Sequence, residues 1–304
     1  MGYKKLDAED FLVSSNTITS VVWSNFQPSL NTFYTSSTQK EGSTGPYYLN
    51  VFQTSSNAIG AEVQFSIAYG DNTGGGNINF DSSIPNVSPS TTVYGQYITL
   101  VLEDENSSFK FGNDTPVGHF YVLSLERSRY KEKLLPGSLN LTLKSNNTES
   151  GFGEIHLTDD FNMVNLPSYY GAQRAYQIIS GSNGSAWPGS TTGGYAASGS
   201  YGLFLPDIAT IILNGDVLDD NTSTGGGINL ASSRIQGNEN NPSKLFELIK
   251  QGGDFKINSQ ETITSDFIFV RPRSSEFNYS ENPSFISGST GEVLYSGFIN
   301  NPQV

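Results

Sequence analysis

Cysteine is absent from the 304 residues, and histidine occurs only twice. The first absence removes a disulfide framework, a thiolate nucleophile and any cysteine-based metal site. It suits a chain assembled without an oxidising compartment. The second leaves almost no imidazole for acid–base or metal chemistry near neutral pH. Charge is sparse as well, at 15% of residues, and lopsided: 16 basic against 29 acidic side chains, a net charge of −13. That sign argues against sequence-independent nucleic-acid binding, which needs Lys and Arg to neutralise phosphates. It argues equally against docking on anionic membranes. Long apolar runs are missing too. Nothing approaches the ~20 residues that span a bilayer, and Met1 to Asp10 lacks the apolar stretch of a secretory signal. Leu6 also stands where a myristoylation pattern wants Ser or Thr. The expectation is a chain with no nucleic-acid partner, no membrane and no cofactor.

What the chain does have is aromatic and polar. Hydrophobic residues make up only 36%, yet aromatics reach 12%, with 19 Phe and 16 Tyr. Rings and β-branched side chains suit pleated surfaces better than helices. With so little charge, the surface is built largely of Ser, Thr, Asn, Gln and Gly. Such a surface loses little solvation when it packs against a neighbour.

The clearest strand signal is Ala61–Tyr69. Val63, Phe65, Ile67 and Tyr69 point one way and Glu62, Gln64 and Ser66 the other, the period of two of a half-buried strand. Further strands are expected at Thr17–Trp23, Tyr47–Gln53, Tyr94–Leu102, Phe120–Leu125, Leu139–Leu143 and Ala172–Ile179. An apolar run from Leu203 to Leu213 is broken at Pro206-Asp207 and closed by an Asn214-Gly215 turn signal. Strands at Asp254–Ile257 and Thr262–Val270 complete the pattern. One amphipathic helix is expected over Ser243–Gln251, with Pro242 at its start, an apolar stripe at Leu245, Phe246, Leu248 and Ile249, and Gly252-Gly253 as its stop. Long Gly/Ser/Asn segments at Asp71–Pro89 and Ser180–Ser200 are expected to be mobile until a neighbour orders them. A composition shift near Lys144–Gly153 suggests two β-rich lobes, sandwich- or barrel-like, at residues 1–145 and 146–304.

Chemistry-bearing motifs are few. There is no Gly-x-Ser-x-Gly elbow, no phosphate loop and no His-Glu-x-x-His. His119 and His156 read as structural or solvent-facing, and no catalytic residue is assigned. Asp216, Asp219 and Asp220 place hard oxygens in one short loop beside Asn214 and Asn221. They are a weak calcium candidate, because the spacing is not that of an EF-hand and Asp and Asn are ordinary turn residues. One basic cluster breaks the acidic trend: Arg127, Arg129, Lys131 and Lys133 alternate within Glu126–Lys133. If extended, they share one edge-facing side, which would guard that edge or meet an acidic partner. A solvated connection is the plainer alternative. With Trp187, Phe277 and Tyr279 they form the expected contact residues.

Several segments together carry a family resemblance. These are Tyr48–Thr54, Ala61–Gly70, Val93–Tyr97, Ser124–Leu134 with Pro136-Gly137, Tyr201–Asp207, and Glu276–Ser284 with Asn301-Pro302-Gln303. In that order the chain resembles virion structural proteins of T4-like (cyanophage-type) tailed bacteriophages. The resemblance implies a tail or baseplate component, assembled in the host cytoplasm in symmetry-related copies. It would pack against itself and other virion proteins through polar and aromatic interfaces. A neck, collar or capsid-decoration protein is the alternative within that class. A receptor- or carbohydrate-binding module is an alternative outside it, and a polysaccharide hydrolase a third, disfavoured by the missing acid–base constellation.

Overall fold

The computed structural model describes residues 8–35, 48–76, 88–112, 115–145, 153–188, 190, 193–220, 226–235 and 240–269. Phe277 and Tyr279 lie outside them, as do the segments 36–47 and 77–87. Strand outweighs helix, 41% to 18%, and the fold is mainly β.

The strands run in chain order as β1 (Phe11–Val21), β2 (Ser29–Leu30), β3 (Tyr34–Thr35), β4 (Tyr48–Phe52), β5 (Val63–Asp71), β6 (His119–Leu125), β7 (Lys133–Leu134) and β8 (Asn140–Lys144). They continue as β9 (Glu154–Asp159), β10 (Ser168–Tyr170), β11 (Gln173–Ser182), β12 (Ser185–Ala186), β13 (Gly202–Leu205), β14 (Thr210–Asn214), β15 (Phe255–Lys256) and β16 (Asn258–Ile268). Thirteen of them form one curled sheet in the order β2-β15-β8-β9-β11-β13-β14-β6-β5-β4-β3, with β10 and β12 paired to β11. Every pairing in it is antiparallel. The boundary expected at residues 145/146 falls inside this sheet, between β8 and β9, which are hydrogen-bonded neighbours.

Period-two alternation builds a core on each face of the sheet. In one row Phe204 pairs with Ile211, Ile211 with Leu123, and Leu123 with Ile67, all buried in the larger cluster. One residue along, Leu203, Ile212 and Val122 belong to the second cluster, with Ala68 packed against it. Trp23, Phe65 and Phe255 meet in the first cluster with ring centroids 5.0–6.4 Å apart. The helix α3 (Asn241–Gly252) contributes Leu245, Phe246, Leu248 and Ile249 to it. It starts two residues earlier than expected because the Asn240 side chain caps Ser243 N–H at 3.4 Å, and Gly253 at φ 66° closes it.

The second face is covered by a helix that sequence reasoning mistook for a strand. The helix α1 spans Pro89–Leu102. Its β-branched and aromatic content favours strand, but its start carries helix signals: Ser88 Oγ accepts from Thr91 N at 3.1 Å and Pro89 opens the first turn. Tyr94, Ile98 and Val101 recur at helical spacing and are buried on the sheet. Packing on that face overrides propensity. Gly70 permits the close approach, since a Cβ there would sit 2.9 Å from the Phe120 ring and 3.1 Å from the Tyr94 backbone.

Two compact units divide the chain: residues 17–261, and residues 1–16 with 262–304. The larger unit holds the 13-stranded sheet and all of the buried apolar core among the described residues, from Val22 to Ile257. The strands β1, β16 and β7 form a separate three-stranded sheet in the order β1-β16-β7. In the smaller unit Phe269 N donates to Asp10 O at 2.8 Å. Its apolar side chains Phe11, Leu12, Val13, Ile263, Phe267, Ile268 and Phe269 are 39–54% exposed.

Candidate functional site

The densest polar cluster forms where β5 ends and β6 begins. His119, the first residue of β6, is only 3% exposed. The short helix α2 (Gly215–Asp219) follows β14, capped by the Asn214 side chain, which accepts from Asp216 and Val217 N–H. The Asn214-Gly215 pair read as a turn is therefore a helix start. Asp216 and Asp219, three apart on that helix, share a face and both reach His119. Asp219 Oδ2 is 3.2 Å from Nε2. Asp216 Oδ1 is 3.3 Å from Nδ1, although Nδ1 is buried without a hydrogen bond of proper direction. Gly215 makes room, since a Cβ there would overlap the imidazole.

Around this pair stand Tyr69, whose ring lies 5.9 Å from the imidazole, and Tyr121, whose hydroxyl is 2.7 Å from Ser232 Oγ. Ser232 N donates to Asp219 Oδ1 at 2.9 Å. Burial pushes both tyrosine hydroxyls far above their ordinary range, so neither ionises in water. Asp71 is fully buried at the end of β5. Burial alone would raise its carboxyl. Hydrogen bonds from Arg234 and Thr73 outweigh that and hold it below the usual carboxylate value. Arg234 Nε donates to Asp71 Oδ2 at 2.6 Å across 163 residues of sequence.

A general base needs a free nitrogen within reach of the proton it takes. Here both ring nitrogens of His119 face carboxylates of the chain itself. Ser232 Oγ is turned to Tyr121. The arrangement ties α2 and the segment 226–235 to the ends of β5 and β6.

Asp216, Asp219 and Asp220 do not converge. The first two occupy opposite sides of one imidazole, and Asp220 Oδ2 accepts from Ser198 Oγ at 2.9 Å. Among the described residues no group of three or more His, Asp or Glu is placed to hold a metal ion. His119 read as structural or solvent-facing from sequence, and its carboxylate partners could not be named there because Asp219 lies a hundred residues away, with no local spacing to mark it.

The basic cluster is not extended. Arg127–Arg129 forms a 3-10 turn, closed by Arg129 N donating to Glu126 O at 2.9 Å. Arg127 bonds Tyr130 O and lies 4.7 Å above the Tyr130 ring, and Arg129 pairs with Glu62 at 2.9 Å. Lys133 pairs with Glu132 and sits in β7 opposite Gln260, while Lys131 is exposed. The single cationic edge expected of four alternating residues is thereby broken into local contacts.

Trp187, expected as a contact residue, lies on β12's C-terminal side. It borders an open polar groove of about 240 Å³ together with His156, Asn140, Asn183, Asp254 and Lys256. Its indole is 47% exposed and meets the His156 ring edge-on at 5.8 Å. Among the described residues no helix is long and apolar enough to cross a membrane. No protein-family model, curated protein or solved structure matches the chain.

Proposed function

We propose that this chain is an assembly subunit, a structural component of a tailed-bacteriophage virion at its tail or baseplate, packed in multiple copies against itself and neighbouring virion proteins. One observation carries the assembly reading: the exposed apolar side chains of the smaller unit. Phe11, Leu12 and Val13 on β1, and Ile263, Phe267 and Ile268 on β16, are consecutive or near-consecutive positions, so they point to both faces of the strands. Paired strands without a covered apolar face are marginal in water. Apolar surface gathered in this way is the mark of a contact site, and strand edges invite pairing with another chain.

The assignment to a phage particle rests on the ordered sequence resemblance, and the His119 cluster, closed on itself, is consistent with a non-enzymatic role. The composition of purified particles tests it. Quantitative mass spectrometry is expected to find the chain at a fixed, multiple copy number relative to the other tail proteins. Its absence from infectious particles would refute the proposal.

A further inference from the structure

Independently of the assembly role, we propose that the groove beside Trp187 is a subsite for one neutral pyranose ring of a glycan. The groove is prepared on three counts. Its tryptophan is held in place, its floor is fixed, and its rim keeps polar groups that the chain does not use.

Trp187 N donates to Ser180 O, and its ring is buttressed by His156. That imidazole is in turn held between Thr142 Oγ1, 3.1 Å from Nδ1, and Glu154 Oε1, 3.2 Å from Nε2. Partners at both ring nitrogens fix the orientation of the imidazole. Trp187 is thereby buttressed at its ring while about half of the residue stays exposed.

The β11–β12 turn forms the floor, with Asn183 in the left-handed region at φ 51°. Asn140 clamps it: Oδ1 accepts from Asn183 N at 2.8 Å and from Ser182 Oγ at 3.1 Å, while Nδ2 donates to Asn183 Oδ1 at 3.1 Å. Asn162 adds a bond to Asn183 O at 2.8 Å. This takes one lone pair of the Asn183 amide oxygen, while its NH₂ donors have no partner among the described residues.

Asp254 and Lys256 complete the lining. Neither takes an ion pair among the described residues. Together they cancel in charge, so the groove selects neither an anion nor a cation.

A pyranose ring matches that inventory. Its C–H face is apolar and packs on an aromatic plane, while its equatorial hydroxyls both donate and accept around the rim. A carboxylate takes two hydroxyl donors, and an ammonium and a side-chain amide serve hydroxyl acceptors. Volume agrees: the groove of about 240 Å³ is smaller than the range of roughly 300–1,000 Å³ for drug-sized ligands, so it suits one ring. Few contacts and an open mouth place the affinity of a single ring at about 1 mM.

Fluorescence of the full chain reads the site directly. The chain has 2 tryptophans, of which Trp23 is 1% exposed and Trp187 is 47% exposed. Acrylamide quenching therefore reports Trp187. Glucose, galactose, mannose, rhamnose and N-acetylglucosamine are titrated, with sorbitol as the acyclic polyol control. At least one ring is expected to protect saturably against quenching beyond the sorbitol effect. Saturation-transfer NMR with that same sugar should then show binding weakened about tenfold or more by Trp187→Ala, and several-fold by Asp254→Ala and Lys256→Met. The proposal is overturned if no ring outdoes sorbitol. It is overturned equally if the three variants bind as the parent does, or if the site prefers glutamate or arginine to every sugar. The substituted residues lie at or near the surface, and an unchanged thermal transition identifies variants whose lost binding is local.

Discussion

Replacing Arg234 by Met tests the polar cluster at its partly exposed cation. Arg234 is 40% exposed and Asp71 is fully buried, yet the guanidinium supplies two of the bonds to that carboxylate and also reaches Asn72 and Gly118 O. Removing one partner of a buried pair costs about 3–5 kcal/mol because a charge is left uncompensated. Two features reduce that. Water already reaches the guanidinium, and Asp71 keeps donors from Thr73, Gly74 and the Tyr69 hydroxyl. A loss of about 2–3 kcal/mol is expected at pH 7 after that discount. In a chain of this size the loss lowers Tm by roughly 4–10 °C. The pH dependence supplies the sign check. Asp71 is held below its ordinary value of 3.8, so its contribution is present above that pH and lost as pH falls through the depressed value. Without Arg234 only the Thr73 and Gly74 bonds still oppose burial, and the carboxyl rises relative to the parent. The gap between parent and variant should thus be largest at neutral pH and close below about pH 4. Denaturant melts of both proteins across pH 3–8 measure it. A variant within about 0.5 kcal/mol of the parent at pH 7 would refute the reasoning. So would a gap that widens towards acid.

Asp159 should behave in the opposite sense: burial raises its carboxyl to about 6 despite bonds from Gly137, Phe161 and Leu139 N–H. Its stabilising contribution is full below the ordinary aspartate value and fades as pH rises through about 6, and a carboxyl-carbon NMR titration should show a midpoint there. A midpoint below 4 would contradict it. Gly75→Ala should destabilise by about 2 kcal/mol or more, because a Cβ there would overlap the Arg234 carbonyl in a backbone contact that cannot give way. A neutral effect in thermal melts would show that the 226–235 segment does not press on the turn after β5 in this way. Ser88→Ala should cost about 0.5–2 kcal/mol through the lost cap of α1, and amide hydrogen exchange should show protection falling first at that end.

Local signals were legible where local rules decide. The alternation at Ala61–Tyr69 returns as β5, with Phe65, Ile67 and Tyr69 buried together. Pro242 and Gly253 bracket α3 as expected. Gln64 shows the limit of a polar-out reading: it is fully buried, its amide satisfied by Ser24 and Glu62. In α1 the strand-like composition and the Ser88-Pro89 start disagreed, and the sheet face that arbitrates between them is non-local. The same holds for the sheet itself. Strands β8 and β9 pair across the composition shift, and β14 pairs with β6 across more than eighty residues. Of the candidate site residues, Trp187 could be marked from sequence as an exposed ring in a polar lobe. Asn140, Asp254 and Lys256 could not, because only strand register brings them beside it.

The measurement closest to the central claim is the mass of the purified full chain by light scattering across a wide concentration range, alone and as the Phe11→Ser/Phe267→Ser variant. The account predicts discrete multimers of the parent that dissociate to monomers in the variant while circular dichroism stays unchanged. A parent that remains monomeric at every concentration, or a variant that assembles as the parent does, would contradict it.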